Sequence, residues 1–157
     1  MSWQERLKKV GITGIATAGF VGFAPFAPGT FGSVVGLAVV WWLRHVSLPL
    51  YFGCFLAVTG LGVWASHHAG KWFGEIDSGH IVIDEVAGMM LTMLGIPVTG
   101  YWLFWGFLLF RLFDVLKPPP ANLFDQYVKN AWGVMLDDTA AGIYGTILLH
   151  LMVRATI

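Results

Sequence analysis

From Asp84 to Phe113 the chain reads DEVAGMMLTMLGIPVTGYWLFWGFLLFRLF, and after the two opening acids the next charged residue is Arg111. The punctuation inside this run is Gly95-Ile96-Pro97, where proline stops one helix and opens another. No alternation of apolar and polar residues supports barrel strands. The run therefore predicts two apolar helices, 84–98 and 99–113, whose backbone polar groups are satisfied internally. Three further apolar segments, 32–43, 48–65 and 139–153, bring the expected count to five, with Pro49, Pro97 and Pro118-Pro119-Pro120 marking helix ends. The fold class expected is all-α: a multihelical integral membrane bundle with short transmembrane helices. Only 48–65 approaches the roughly 20 residues that span hydrocarbon. The others must tilt, thin the bilayer, or end inside protein.

Composition agrees. Of 157 residues 57% are hydrophobic and 11% charged, against roughly 25% charged in an ordinary soluble domain. With eight Trp and twelve Phe, a mean hydropathy of +0.71 exceeds what a core of this size hides. Nine basic and nine acidic side chains cancel, which removes the argument for a nucleic-acid partner. The single cysteine, Cys54, excludes an intramolecular disulfide and Cys-rich metal sites and reads as a small apolar packing residue. Length and the absence of a linker or repeat predict one domain over 1–157.

Arg6, Lys8 and Lys9 before the apolar run 10–26 imitate a secretory signal, but Gly11, Gly14, Gly19 and Gly22 break that run and no leucine occurs in it. Residues 1–27 are instead expected to form an amphipathic, interfacial arm. Loop parity then sorts the charges. Arg6, Lys8, Lys9, Lys71, Arg111, Lys117 and Lys129 fall on one face and only Arg44 and Arg154 on the other, so the first face is cytoplasmic by the positive-inside rule. All nine acids also fall on the cytoplasmic face, which that rule does not require. A site built there would explain the segregation. Trp41, Trp42, Trp102 and Trp105 are expected as interface anchors.

Five of the acids, Asp84, Glu85, Asp114, Asp137 and Asp138, lie within or at the mouths of apolar helices, where carboxylates are expensive and mark function. A bland reading makes Asp137 or Asp138 the N-cap of a helix beginning at Thr139. Another makes Arg111, Asp114 and Lys117 an i, i+3, i+6 salt-bridge ladder on one helix. Spacing favours a shared site: Gly88 and Gly142 each follow an acid, Asp84 and Asp138, by four residues and so share its helix face, where small residues let helices approach closely. If all five acids meet Arg111 and Lys117, three negative charges remain. Oxygen-only ligands favour a hard cation, Mg²⁺ or Mn²⁺, over zinc. Ala27-Pro28-Gly29-Thr30-Phe31-Gly32-Ser33 reads as a Gly-rich turn entering a helix, suited to phosphate through Thr30, Ser33 and free N–H groups, or else as a turn closed by a Ser N-cap.

These blocks together resemble the phosphatidylglycerophosphatase A family of bacterial membrane phosphatases. The resemblance is carried by Ala27-Pro28-Gly29-Thr30 with Gly32-Ser33, Ile81-Val82-Ile83-Asp84-Glu85 with Gly88, Phe110-Arg111-Leu112-Phe113-Asp114 with Lys117-Pro118 and Pro120, and Asp137-Asp138 with Ala141-Gly142, in order from about residue 20 onward. It implies Mg²⁺-dependent hydrolysis of phosphatidylglycerophosphate to phosphatidylglycerol and inorganic phosphate in phospholipid synthesis, in the bacterial inner membrane. Asn130-Ala131-Trp132-Gly133 is less glycine-rich than the family pattern. The expected metal ligands are Asp84, Glu85, Asp114 and Asp138, with Asp137 as a further ligand or outer carboxylate. Arg111 and Lys117 are the expected phosphate clamps, Arg for its bidentate fork and Lys as a point charge. Asp84, Glu85, Arg111, Asp114, Lys117 and Asp138 form the expected catalytic set. Either water or an Asp can serve as nucleophile, and spacing does not choose.

Ser78-Gly79-His80 resembles a fragment of the phosphatidic acid phosphatase signature, whose other blocks are missing. His80 and Asp77 are expected instead as loop residues near the metal. The alternatives carried forward are a phosphatase of another lipid phosphate, such as phosphatidic acid, and a divalent-cation transporter, which also uses intramembrane carboxylates. The far-side loops 44–47 and 95–100 hold no acid, which counts against a continuous cation path. Close-packing small residues suit either internal contacts or an oligomer.

Overall fold

The computed structural model describes residues 2–75 and 78–156. Seven α-helices follow in order, α1 Trp3–Ala16, α2 Pro28–Trp42, α3 Leu48–Phe73, α4 Ile83–Thr92, α5 Gly100–Leu116, α6 Ala121–Tyr127 and α7 Ala131–Thr156, with a 3₁₀ turn at Val21–Phe23. The fold is all-α, with no strand among the described residues. The stretch 80–82, whose Ile and Val left an extended conformation open, has no regular structure, and Val82 N–H donates to Ala16 O at 3.0 Å.

The middle of the bundle is α4. Every residue of α4 except Glu85 is buried, as a short helix apolar on all sides requires. Around it stand α2, α3, α5 and α7, α7 making the most extensive contact. Methionine fills the space that glycine leaves: Met89 lies against Gly36 of α2, Met135 against Gly62 of α3 and Met93 against Gly106 of α5. An unbranched thioether adapts to such gaps.

At ten residues, α4 ends within the protein rather than at a surface. Carbonyls at its C-terminus are met by side chains: Tyr51 Oη donates to Met90 O at 2.8 Å, and Thr146 Oγ1 donates at 2.6 Å to Leu91 O, which also accepts from Leu94 N–H at 3.0 Å. Just beyond, His150 Nε2 lies 3.0 Å from Leu94 O. Short apolar segments thus end in protein with their backbone satisfied.

Several boundaries differ from expectation. Helix α3 continues past 65 to Phe73, ending at Gly74 with φ +82°, the left-handed conformation glycine adopts freely. It is the one helix among the described residues that is long and apolar enough by itself to cross a membrane. Helix α7 starts at Ala131, where Asn130 Oδ1 accepts from Trp132 N–H (2.9 Å) and Gly133 N–H (3.2 Å). Asp137 and Asp138 are therefore interior to α7 and do not cap a helix at Thr139. Helix α2 starts at Pro28, with Ala27 before it at φ +45°, so Ser33 lies in its second turn and is not an N-cap. Of the four expected anchors, Trp102 is buried, whereas Trp41 and Trp42 are exposed at the end of α2. Arg44 stacks 4.3 Å from the Trp41 ring and Cys54 packs, partly buried, against the core. Many large apolar side chains point outward, among them Phe52, Leu56, Phe104, Leu108, Ile143, Ile147 and Leu151.

Candidate active site

Three glycines on one stripe of α2, Gly29, Gly32 and Gly36, let α4 come in close. A Cβ on Gly32 would lie 2.8 Å from Val82 Cβ, and one on Gly36 2.6 Å from Met89 Cβ. At the top of the stripe Gly29 lies directly under Glu85 Oε1, so the carboxylate of Glu85 sits at the N-terminal turn of α2. The positive end of that helix dipole favours a negative charge there.

On the opposite flank of α4, Gly88 and Gly142 bring α7 into backbone contact. The crossing sets the first turn of α4 beside the second turn of α7. One ligand atom from each of Asp84, Glu85 and Asp138 falls within 4.8 Å of the others. Asp84 and Asp138 are buried, and Asp138 is flanked by the carboxylates of Glu85, Asp114 and Asp137.

The other acids are held by the two cations. Arg111 Nη1 lies 2.5 Å from Asp114 Oδ2, one turn along α5. Lys117 does not extend that pair into a ladder, because α5 ends at Leu116 and Lys117 takes φ +42°. The turn sends its side chain across to α7, where Nζ donates to Asp137 Oδ2 at 2.7 Å. Asp137 Oδ1 also accepts from Asp138 N–H at 2.8 Å, and Asp84 Oδ1 from Glu85 N–H at 3.1 Å. Asp114 and Asp137 thus lie within ion-pair distance of a cation, and the three acids that do not are the ones clustered within 4.8 Å, Glu85 being the nearest of them to Arg111.

Glu85 Oε2, Asp138 Oδ2 and Arg111 Nη1 are buried without a hydrogen-bond partner, the Arg111–Asp114 ion pair lacking hydrogen-bond alignment. Buried polar atoms are rarely left so, and ionised ones least of all. An all-oxygen donor set with two orphaned carboxylate oxygens fits a hard divalent cation. The Arg111 guanidinium beside it, paired with Asp114, has further N–H groups in its fork, the chemistry that binds an anion.

Among the remaining expected residues, Thr30 is half-buried in the first turn of α2, while Ser33 is fully buried and its hydroxyl donates to Gly29 O at 2.9 Å. The His80 ring turns to Gly22 O, 3.0 Å from Nδ1, and to the rings of Phe23 and Phe73, rather than into the carboxylate cluster. Asp77 lies outside the described residues. Sequence reading missed Gly29 as the seat of Glu85, although the 29, 32, 36 spacing of small residues was visible.

A family model described as Phosphatidylglycerophosphatase A matches residues 14–153. The chain is 34% identical over 151 residues to Phosphatidylglycerophosphatase A of Escherichia coli, covering 94% of this chain and 87% of that one. It is 37% identical over 129 residues to Phosphatidylglycerophosphatase A of Haemophilus influenzae, covering 78% and 77%. A protein of Bacteroides thetaiotaomicron named Putative phosphatidylinositol-3-phosphatase is 35% identical over 137 residues, covering 82% and 84%. No solved structure matches the chain. With the match running through all four motif blocks that meet at the carboxylate cluster, the chain belongs to the phosphatidylglycerophosphatase A family.

Proposed function

We propose that the protein is a Mg²⁺-dependent lipid phosphatase that hydrolyses phosphatidylglycerophosphate to phosphatidylglycerol and inorganic phosphate. One observation carries this reading beyond family membership: three unpaired carboxylates within 4.8 Å stand beside two cations supplied by the end of α5. A phosphate monoester dianion resists anionic attack, so its oxygens must be neutralised. Asp84, Glu85 and Asp138 would hold the metal, with Asp114 and Asp137 as nearby carboxylates that set Arg111 and Lys117. Bound there, Mg²⁺ would draw charge from the phosphoryl oxygens and acidify a coordinated water.

Arg111 grips two phosphoryl oxygens through its fork and Lys117 supplies a point charge. Thr30 lines the phosphate side at the α2 N-terminus, while Ser33, whose hydroxyl is spent on Gly29 O, stays behind it. Attack by water breaks the P–O bond to glycerol, and the leaving oxygen takes up a proton. One carboxylate of the group serves as the base, or an Asp attacks first.

The outward-facing Leu, Ile and Phe side chains support a single membrane-embedded domain over 1–157, with 1–27 as an interfacial arm and α2, α3, α4, α5 and α7 in the bilayer. Positive-inside counting supports a multi-pass protein of the bacterial inner membrane with the site facing the cytoplasm. The Bacteroides relative supports a second reading, a phosphatase of another lipid phosphomonoester. The family's enzymatic name favours both over a cation transporter.

The test is phosphate release by purified, detergent-solubilised protein from phosphatidylglycerophosphate and phosphatidic acid, with Mg²⁺ or EDTA, beside Asp84→Asn. Release that needs Mg²⁺ and Asp84 and favours phosphatidylglycerophosphate supports the proposal. Folded protein releasing phosphate from neither lipid overturns it.

A further inference from the structure

Helix α1 packs on α3 through a narrow strip, Ile12, Thr13 and Ala16, and leaves Trp3, Leu7 and Val10 exposed at i, i+4 and i+7. After Ala16 the chain reverses through three consecutive positive φ values, Ala18 +48°, Gly19 +76° and Phe20 +71°. A bulky residue is rarely held there. Thr17 Oγ1 accepts from Phe20 N–H at 3.0 Å and fixes the turn. The reversal stacks the rings of Phe20 and Phe23, 6.4 Å apart, beside α1. Between turn and helix lies a groove of about 370 Å³ lined by Arg6, Lys9, Val10, Thr13, Phe20 and Phe23.

Its floor is apolar and its charged lining is purely cationic. Glu5, the one acid of α1, is used in the capping box, where its Oε2 accepts from Ser2 N–H at 2.6 Å. Among the described residues no carboxylate lies within ion-pair distance of Arg6 or Lys9. The Lys9 ammonium stands 5.5 Å from the Trp72 ring, which ties it to α3. Apolar walls with two unneutralised cations match an amphiphile whose head is anionic.

We propose that this groove is a second lipid site, distinct from the carboxylate cluster, that holds an anionic phospholipid of the surrounding leaflet. The acyl chain lies on Val10, Phe20 and Phe23, and the phosphate sits between Arg6 and Lys9. The assignment rests on the membrane reading above but not on the reaction.

The test uses full-length protein in phosphatidylcholine nanodiscs containing a trace of photoactivatable phosphatidylglycerol or photoactivatable phosphatidylcholine, with cross-links mapped by peptide mass spectrometry. Labelling needs no turnover, so failure of the phosphatase assay leaves it intact. The anionic probe should label residues 6–23 several-fold more than the zwitterionic one, whose choline offsets the phosphate charge that Arg6 and Lys9 attract. Arg6→Gln with Lys9→Gln should erase the preference, while Lys8→Gln, exposed on α1 but outside the groove, should keep it. Glycerol phosphate added in solution should not displace the probe, because it lacks the chains. Equal labelling by both lipids, equal loss in Lys8→Gln, or displacement by glycerol phosphate would overturn the proposal.

Discussion

Gly142 and Gly88 meet backbone to backbone: a Cβ on Gly142 would lie 2.7 Å from Gly88 O, and one on Gly88 would lie 2.9 Å from Asp138 O. Each glycine sits one turn beyond a carboxylate of the site, so the closeness of this crossing sets the separation of Asp84 from Asp138. Small residues at a helix interface allow such contact, and a methyl group on Gly142 meets first the Gly88 carbonyl, which moves only with the backbone.

Gly142→Ala should therefore part α4 from α7. Overpacking of this kind costs about 1–3 kcal/mol. The expected result is a lower melting temperature in detergent together with weaker activation by Mg²⁺, since the cluster spans both helices. Gly60→Ala on α3, where a Cβ meets nothing, is the control and should raise the melting temperature slightly through helix propensity while leaving Mg²⁺ activation unchanged. Full activity at wild-type Mg²⁺ concentrations in Gly142→Ala would show that the crossing does not set the ligand spacing.

Neutralising one of the three unpaired carboxylates should have opposite effects on stability and activity. In EDTA, Asp138→Asn relieves a buried negative surplus and should melt several degrees above wild type. An uncompensated buried charge costs more than the ~1–3 kcal/mol of an unsatisfied neutral group. Added Mg²⁺ should raise the wild-type melting temperature, by about 2.7 kcal/mol of stability at a hundredfold excess over Kd, and move the variant far less. Phosphate release should fall by at least about 10²-fold, the order seen when a transition-state charge stabiliser is removed. A variant less stable than wild type in EDTA would remove the argument for a cation.

The end of α4 offers a test of folding apart from chemistry. Tyr51→Phe leaves Met90 O without its side-chain donor and should cost about 1–3 kcal/mol, whereas Thr146→Val should cost only about 0.5–1.5 kcal/mol, because Leu91 O keeps the Leu94 N–H. Because the two acceptors are consecutive carbonyls of α4, the losses should couple, and the double variant should depart from the sum of the single ones by about 0.5 kcal/mol or more. Thermal melts of the single and double variants measure this. Phosphate release at saturating Mg²⁺ should persist, since both contacts lie at the far end of α4 from Asp84.

How much of this was legible in the sequence depends on the range of the interaction. Apolar runs and proline punctuation revealed the apolar helices but not the short α6, and Asp84, Glu85, Asp114, Asp137 and Asp138, read as one site, do gather. The i, i+4 pairing of acid and glycine was readable because both members lie on one helix. Lys117 was read onto the face of Arg111 and Asp114 because spacing assumes a continuing helix. Its left-handed backbone conformation redirects the side chain to Asp137, which only the three-dimensional turn reveals. The start of α7 was misplaced for a similar reason: Asn130 caps the helix ahead of the paired acids, and an acid pair before Thr-Ala-Ala looks locally just as good a start. His80 looked like a site residue from its neighbour Asp84, but its ring is drawn toward Gly22, which lies 58 positions away.

Gly29 and Gly32 differ in what a methyl group on the same helix would have to displace. At Gly32 the nearest obstacles to a Cβ are Val82 Cβ and Val82 O, 2.8 and 2.9 Å away, neither of which can move without the backbone. Gly32→Ala should thus destabilise by about 1–3 kcal/mol and, because Val82 directly precedes the first turn of α4, weaken Mg²⁺ activation as well. At Gly29 the obstacle is the Glu85 carboxylate, the end of a flexible side chain, with Arg111 Nη1 3.4 Å away. Gly29→Ala should leave the melting temperature in EDTA near wild type, because Glu85 can rotate aside. It should raise the Mg²⁺ concentration needed for half-maximal phosphate release by about tenfold or more, the scale on which misplaced metal-site groups act. A shift in melting temperature with unchanged Mg²⁺ dependence would mean that Glu85 packs against α2 without serving the cation.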